Sequence, residues 1–468
     1  MVFRKGPTPR VTAMPLPFRR PLVRLVLGAA LAAAPLAAQQ PLTLGEALAR
    51  ADTAGYANRI AAGATRERAG EALAPYRGIL PSVRLEAAYL RTTDPLNSFG
   101  FLLRQRAVTP AAFNPATLND PAAIGNLMTG VVLEQPLFNA DAWLGRRAAR
   151  AARDATAASE TWTRGGTAVQ VVQAYFGAVL AAEQVTTLRA ASAAGAAHVR
   201  QAEAMVRQGM ATRSDALLAS VKAGEVDAQL LEAERRARQA RRGLATLLGA
   251  PADSGWTLPD SLPSLDAVRA VAGLAGTDSG GAAARADVQA AELGRAAAEA
   301  DARRAAALYL PRLNGFGRLD WNSADAPFSG KSAWTLGVML SWSPFAGAQE
   351  LAERRSAAGR RDGARAMAQA AGAQAALEIA AARDRQAVAL ARLAIADRSV
   401  AQAAEAHRIV GRKYDGGLAT VSELLDAATV ETATRLGLSA ARYEVIVAAA
   451  EARQAQGLEL GALRALDR

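Results

Sequence analysis

The chain has 468 residues, of which 51% are hydrophobic and only 5% aromatic, and its formal net charge is +12 at pH 7. Abundant alanine with interspersed arginine and glutamate is typical of long helices that pack along narrow seams. The sequence has no cysteine, which excludes disulfides and a lipid-modified N-terminal cysteine. It also has no nucleophile elbow, phosphate-binding loop or metal-ligand cluster, so we expect no enzyme, no cofactor and no metal site.

The first 38 residues have the layout of a secretory signal peptide. Basic residues come first, an apolar run follows over 25–36, and small residues end the segment. We predict cleavage after Ala38, and Met14 is a second candidate for the start of translation. An uncleaved anchor helix is the less favoured alternative, because the run is shorter than the roughly 20 residues that span a bilayer. Six basic residues and no acid lie in this segment, so the exported chain carries about +6.

Repeat 1 is predicted at 39–249 and begins with a helix. Thr43 stands three residues before Glu46, which is the spacing of a capping box. Alternation of apolar and polar residues then predicts strands at about 81–92 and 129–137. The connection between these strands is rich in proline and asparagine, and we interpret it as a loop.

Two helices complete repeat 1, a long one at 140–208 and a second at 211–249. At 1.5 Å per residue the first would be roughly 100 Å long, which exceeds the size of a globular domain. Proline and glycine interrupt the helical pattern at 250–284, which we interpret as an equatorial linker between two repeats.

Repeat 2 is predicted at 285–468 with the same order of elements: a helix, strands at about 312–323 and 332–343, a long helix at 346–415 and a helix at 420–461. Its second strand alternates large apolar with small or polar residues, as a membrane strand does, although a soluble sheet shows the same pattern. Four such strands behind a signal peptide favour the membrane, and they cannot close a barrel without oligomerisation. The residues expected to face lipid are Trp334, Leu336, Val338, Leu340 and Trp342.

The two repeats share a turn motif. The segment GMATRSDALLA at 209–219 returns as GLATVSELLDA at 417–427, and Pro136 and Pro344 precede the two copies by the same distance. A register held over about 70 residues indicates an internal duplication.

Together these features resemble the TolC family of trimeric outer-membrane efflux and secretion channels. The resemblance covers nearly all of the exported chain. It rests on the opening LTLGEAL, the two blocks of Leu-Pro, paired strands and proline, the segment FGFLLRQRAVTPAAFNP and the doubled turn motif. It implies a mainly α fold with a membrane β-barrel part. Four strands per chain would build a twelve-stranded barrel in a homotrimer in the outer-membrane lipid, and long coiled-coil helices would form a periplasmic α-barrel.

By this resemblance the protein would be the passive conduit of a tripartite efflux system for small molecules, joined by a periplasmic adaptor protein to an inner-membrane pump. Two alternatives stay open: the duct of a type I protein or peptide secretion system, and a periplasmic coiled-coil scaffold without a pore. The sequence does not identify the cargo. The basic run over 235–242 does not indicate nucleic-acid binding, because it lies in an amphipathic helix where a solvated face is favoured.

Glu423 and Asp426 are spaced so that both carboxylates lie on one helix face just after the second turn. The resemblance places this segment at the narrow periplasmic entrance of the channel. Three copies would form two stacked acidic rings, a constriction that favours cations. The alternative is that acids at a helix start simply interact with the helix dipole.

The resemblance also implies a closed-state contact between Asp215 and Tyr414, which come from opposite repeats. The family often has an arginine two residues after the Gly-X pair, and this position is Ala419 here. Arg213 in the other repeat is a candidate substitute.

The two turn tips are expected to dock the adaptor, again by resemblance, while their glycines are also typical helix C-caps. The tip residues are Gly209, Met210 and Ala211 in repeat 1 and Gly417, Leu418 and Ala419 in repeat 2. His198 and His407 are the only histidines, and each is alone in its helix, so a metal site is not expected.

Overall fold

The structure, a computed structural model, describes residues 41–252, 255–277 and 281–467. The signal peptide predicted at 1–38 lies outside these residues. The α-helices in chain order are α1 (Leu44–Ala54), α2 (Tyr56–Glu71), α3 (Pro95–Gln105), α4 (Pro115–Asn119), α5 (Ala140–Arg207), α6 (Arg213–Leu247), α7 (Leu265–Thr277), α8 (Ala286–Ala307), α9 (Gln349–Asp415) and α10 (Val421–Ala455). The strands are β1 (Ser82–Thr92), β2 (Ile124–Phe138), β3 (Arg312–Ser323) and β4 (Lys331–Ser341).

The capping box at the start of α1 is formed. The Glu46 backbone N–H donates to Thr43 Oγ1 at 3.2 Å, and the Thr43 N–H donates to Glu46 Oε2 at 3.3 Å. Two of the backbone donors that a helix start leaves without partners are thereby satisfied. The helix pattern of this region is interrupted at Gly55, which separates α1 from α2.

The strands form one antiparallel sheet in the order β1-β2-β3-β4. Its register aligns Leu85 with Val131, Val131 with Leu319, and Leu319 with Trp334, so one face is apolar across all four strands. The opposite face carries charged residues, since side chains alternate along each strand. Those residues are Arg84, Glu86, Glu134, Arg318 and Asp320.

The sequence-based boundaries differ from the structure in several places. Strand β2 begins at Ile124, before the predicted 129, and β4 ends at Ser341, so Trp342 lies just beyond the strand. The final helix ends at Ala455 rather than near 461, and a 3₁₀ segment follows it at Leu460–Asp467.

The interpretation of the first inter-strand connection as a loop was wrong, because it contains α3 and α4. Asp94 caps α3 by accepting the Asn97 N–H at 2.8 Å, and Pro95 occupies the first turn. Proline is favoured at that position because its missing N–H would have no partner there. Proline and asparagine therefore mark helix starts here as well as turns.

Helices α5 and α6 form one long hairpin, and helices α9 and α10 form another. They pack against each other through α5 and α10, where Val172, Tyr175 and Val445 are buried in the largest hydrophobic cluster. The equatorial segment joins the same cluster through Leu262 and Val268, so it is a packed part of the bundle rather than a free linker.

Helix α5 is, within the described residues, the one helix long and apolar enough to cross a membrane by length and composition. Its most apolar window is 44% buried inside the chain. The valines and aromatic residues of α5, among them Val171, Tyr175 and Phe176, belong to the core of the bundle.

A buried arginine connects four helices at the equator. Arg285, directly before α8, is 1% exposed and donates to Asp287 Oδ2 at 2.7 Å and to Glu378 Oε2 at 2.6 Å. Its guanidinium also lies 4.4 Å from the ring centroid of Trp162 on α5 and donates to the carbonyl of Ala455 on α10. A buried charge needs such partners, because an unpaired one is strongly destabilising.

Candidate functional site: hairpin tips and a two-faced sheet

Each hairpin tip turns on a glycine in the left-handed backbone region. Gly209 has φ +75° and Gly417 has φ +71°, a conformation that side chains with a Cβ rarely adopt. The next N–H in each copy closes the turn, with Met210 donating to Met205 O at 2.9 Å and Leu418 donating to Lys413 O at 2.8 Å. This is the Schellman geometry of a helix C-terminus.

The tips expose apolar side chains. Met210 is 64% exposed and Leu418 is 81% exposed, while Ala211 and Ala419 are half-buried. Adaptor docking at these residues stays a prediction.

The first acid of each doubled motif starts a helix. The Thr212 N–H donates to Asp215 Oδ2 at 2.9 Å, and the Thr420 N–H donates to Glu423 Oε2 at 2.7 Å. These backbone hydrogen bonds lower the pKa of Asp215 and of Glu423, because they favour the ionised carboxylates. Glu423 therefore stabilises the start of α10, which is the alternative to an acidic ring at the channel entrance.

Asp426 has no such local role. It is exposed one turn after Glu423, and it forms no hydrogen bond or ion pair within the described residues. A constriction formed by Glu423 and Asp426 in an assembled channel stays a prediction. Of these two acids, only Glu423 also caps a helix.

Tyr414 and Asp215 are not hydrogen-bonded to each other within one chain. Tyr414 is 4% exposed and packs with Val421 and Leu424, and its hydroxyl has no partner among the described residues. Burial raises the pKa of Tyr414 most, and the charges of Asp215 and Asp415 raise it further. The Asp215 carboxylate itself accepts from Thr212. Their closed-state contact stays a prediction, as does the role of Arg213, whose side chain is exposed at the start of α6.

The structure brings His198 and His407 together, although the sequence predicts that each is alone in its helix. Their ring centroids are 5.9 Å apart, and His407 Nδ1 lies 2.5 Å from Glu431 Oε2. One sequence signal could have found the pair: Gly209 and Gly417 are 208 positions apart, and this offset aligns His407 with Val199, the neighbour of His198.

No three His, Cys, Asp or Glu side chains are grouped to hold a metal ion within residues 41–252, 255–277 and 281–467. The basic run over 235–242 lies on the solvent side of α6, where Glu232 binds Arg235 and Arg236 at 2.9 Å each. Its arginines are exposed, consistent with a solvated face.

The apolar face of the sheet is exposed on β4. Trp334, Leu336, Val338 and Leu340 are all exposed on β4. Trp342 is also exposed, but its indole N–H donates to the Tyr309 carbonyl at 3.1 Å beyond the strand end.

The other face of the sheet is held by ion pairs. Arg318 binds Glu86 at 3.3 Å and Asp320 at 2.7 Å, and Arg84 lies 4.0 Å from Glu134. An exposed apolar face opposite a charged face is the pattern of strands in a membrane barrel, where one face meets lipid and the other meets water.

The comparisons with known proteins agree with this pattern. The family model described as outer membrane efflux protein matches residues 57–250 and 282–458, one match in each repeat. The chain belongs to the outer membrane efflux protein family. Membership confirms the resemblance inferred from the sequence, locates the chain in the outer membrane and assigns it a role in transport rather than catalysis.

Solved structures share the fold of this outer membrane efflux protein. The outer membrane protein VceC from Vibrio cholerae is 20% identical with a TM-score of 0.72, covering 88% of this chain and 96% of that one. The Campylobacter jejuni CmeC outer membrane channel is 16% identical with a TM-score of 0.73, covering 88% and 85%. The open state of the Neisseria gonorrhoeae MtrE outer membrane channel is 18% identical with a TM-score of 0.69, covering 89% of each chain. No curated protein matches the chain.

Proposed function

We propose that the protein is the outer-membrane channel of a tripartite efflux system, a passive homotrimeric conduit for small molecules. The observation that carries the proposal is the two-faced sheet, with Leu336 and its apolar neighbours exposed on one side and the Arg318 ion pairs on the other. Strands β1 and β4 are the two edges of this sheet. Pairing β4 of one copy with β1 of the next would satisfy both edges and close a barrel from three chains.

The hairpins extend the conduit away from the barrel. Helix α5 has 68 residues and α9 has 67, so each would reach roughly 100 Å at 1.5 Å per residue. This length suits a tunnel through the periplasm. An adaptor protein would contact the apolar tips at Met210 and Leu418, and an inner-membrane pump would supply the energy, since the chain has no nucleotide-binding motif.

The entrance of the conduit would lie at the same tips. Rings of Glu423 and Asp426 from three chains would concentrate cations there. In the closed state Tyr414 would bind Asp215 of a neighbouring helix pair, which would give its buried hydroxyl the partner that it lacks within one chain.

The membrane assignment is tested by placing a lysine on each face of β4. Leu336→Lys puts a charge on the apolar face, at a cost of about 2–4 kcal/mol near the bilayer centre. Ala333→Lys is the matched control, because Ala333 is paired with Asp320 on the charged face. We expect Leu336→Lys to reduce detergent-resistant trimers in the outer-membrane fraction and Ala333→Lys to preserve them. Equal yields of both variants would contradict a lipid-facing β4.

A further inference from the structure

The contact between His198 and His407 joins the two hairpins not far from their tips. His198 lies on α5 about three turns before Gly209, and His407 lies on α9 about three turns before Gly417. The rings meet edge to face, with an interplanar angle of 66°. Both nitrogens of His198 are buried and have no hydrogen-bond partner among the described residues.

The pair is surrounded by groups from all four long helices. The charged and amide groups that line the cavities beside it are Gln201 on α5, Lys222, Glu225 and Gln229 on α6, Arg408, Arg412 and Asp415 on α9, and Glu431 and Arg435 on α10. Several of these satisfy one another: Lys222 binds Glu225 at 2.9 Å, and Gln201 donates to Asp415 at 2.6 Å. These pairings reduce the charge that the groups present to the imidazoles, although Gln201 and Asp415 still favour protonation of His198.

Glu431 is the carboxylate bonded directly to the pair, and it is shared. It contacts His407 on one oxygen and accepts from Arg435 Nη2 at 2.5 Å on the other. Although burial opposes ionisation, His407 and Arg435 lower the pKa of Glu431, so it stays charged in mild acid. A protonated His407 has this counter-ion, whereas a protonated His198 would have no carboxylate bonded to it.

Protonation of His198 is correspondingly unfavourable while the two rings are in contact. Burial lowers the pKa of His198 most and the neighbouring His407 lowers it further, and these effects outweigh Gln201 and Asp415, which raise it. Two imidazolium rings at this separation repel each other, and separation of the helices would let water reach both. A cavity of about 370 Å³ lies beside the pair between the hairpins, and small residues such as Ala194 and Gly195 line it. Water in this cavity would reach both rings once the helices separate.

We propose that His198 and His407 form an acid-sensitive contact that holds the α5–α6 hairpin against the α9–α10 hairpin and releases it when both rings are protonated. The inference concerns the helical part of one chain and does not depend on the conduit proposed above. At neutral pH the contact keeps the two tips together, and in mild acid the tips separate.

Because the chain has no cysteine, spin labels can be placed at two chosen sites. Met210→Cys and Leu418→Cys label one exposed residue on each tip. Pulsed electron resonance then measures the distance between the tips at pH 7.5 and pH 5.0, in full-length protein mixed with excess unlabelled chain so that each distance lies within one chain. We expect the distance to lengthen and broaden on acidification, with a midpoint below the ordinary imidazole pKa of about 6.5.

Two variants separate the histidine pair from a general effect of acid. His198→Asn keeps a polar side chain, and His198→Phe keeps a ring that cannot be protonated, so one remains informative if the other fails to fold. His198→Phe keeps a ring against His407, so it should give the wild-type tip distance at pH 7.5 and no shift at pH 5.0. His198→Asn loses the ring contact, so its tip distance should be the same at both pH values. Glu405→Gln, an exposed acid on the same helix as His407, should keep the wild-type shift. No shift in the wild type, or a wild-type shift in both His198 variants, would overturn the proposal.

Discussion

Asp215 and Glu423 hold equivalent positions in the two repeats, and each accepts the backbone N–H of the threonine three residues before it. The same acid therefore starts the returning helix of each hairpin, α6 in one and α10 in the other. The duplication has preserved a structural contact, and any role of Glu423 in a channel entrance is added to it.

The threonines of these capping boxes should stabilise the helix starts measurably. Replacing Thr212 or Thr420 by alanine removes the hydroxyl that accepts an N–H in the first turn, and such a loss costs about 1 kcal/mol. We expect faster amide exchange in the first turn of α6 or α10. Thr434→Ala, in the middle of α10, is the control and should leave these amides unchanged. Equal effects at Thr434 and Thr420 would argue against a capping contribution.

Acid should loosen the same helix starts. The threonine hydrogen bonds hold the pKa of Asp215 and Glu423 below the usual range. Such a carboxylate adds stability that is present above its unfolded pKa of about 4 and is lost as pH falls through its lower folded pKa. After correction for the intrinsic exchange rate, amides in these first turns should lose protection below about pH 4. The double variant Asp215→Asn/Glu423→Gln should show no such loss, and persistence of the pH effect in it would assign the effect to other groups.

Gly209 and Gly417 should stabilise the hairpin turns through their positive φ, and not because a side chain would clash there. A Cβ at Gly209 or Gly417 would meet no atom within 4 Å, yet both have positive φ. Alanine there should destabilise the hairpin by about 1 kcal/mol. Gly224→Ala is the matched control, since it lies in the middle of α6 with equally open space and should stabilise by about 0.5–1 kcal/mol. Thermal unfolding of the three variants measures these differences, and a common sign for all three would be inconsistent with this account.

Arg285 should contribute more to stability than any surface arginine. Arg285→Ala would leave Asp287 and Glu378 without their buried partner. Losing one partner of a fully buried pair costs about 3–5 kcal/mol, and we expect a smaller loss here because both carboxylates are partly exposed. Arg408→Ala removes an exposed pair with Glu405 and should cost below about 1 kcal/mol. Denaturant unfolding compares the two, and similar losses would show that the Arg285 cluster has no special role.

The sequence predicted the elements that depend on strong local signals. Alternation at Trp334 to Leu340 and the capping pattern at Thr43 depend on near neighbours in the chain, and both are found in the structure. The helix after Asp94 was missed because proline at a helix start resembles proline in a turn. The contacts of Arg285 could not be predicted, because they join residues far apart in sequence whose packing follows from the whole bundle. The repeat offset places His407 beside the position equivalent to His198, but it does not show that the two rings touch.

Asp426 separates the proposed channel role from helix capping, because it is exposed and has no partner in the described part of the chain. Asp426→Asn should therefore lower cation selectivity without changing thermal stability. Glu423→Gln should also lower selectivity, while the glutamine retains part of the capping box. A loss of stability in Asp426→Asn would point instead to a structural task for this acid.

The most direct test of the central claim is the conductance of the purified protein in planar bilayers, with wild type measured beside the Glu423→Gln/Asp426→Asn variant. The proposed conduit predicts small, cation-selective currents from the wild type, and larger, less selective currents from the variant. Correctly inserted trimers of the wild type that pass no current would contradict the conduit and favour a helical scaffold without a pore.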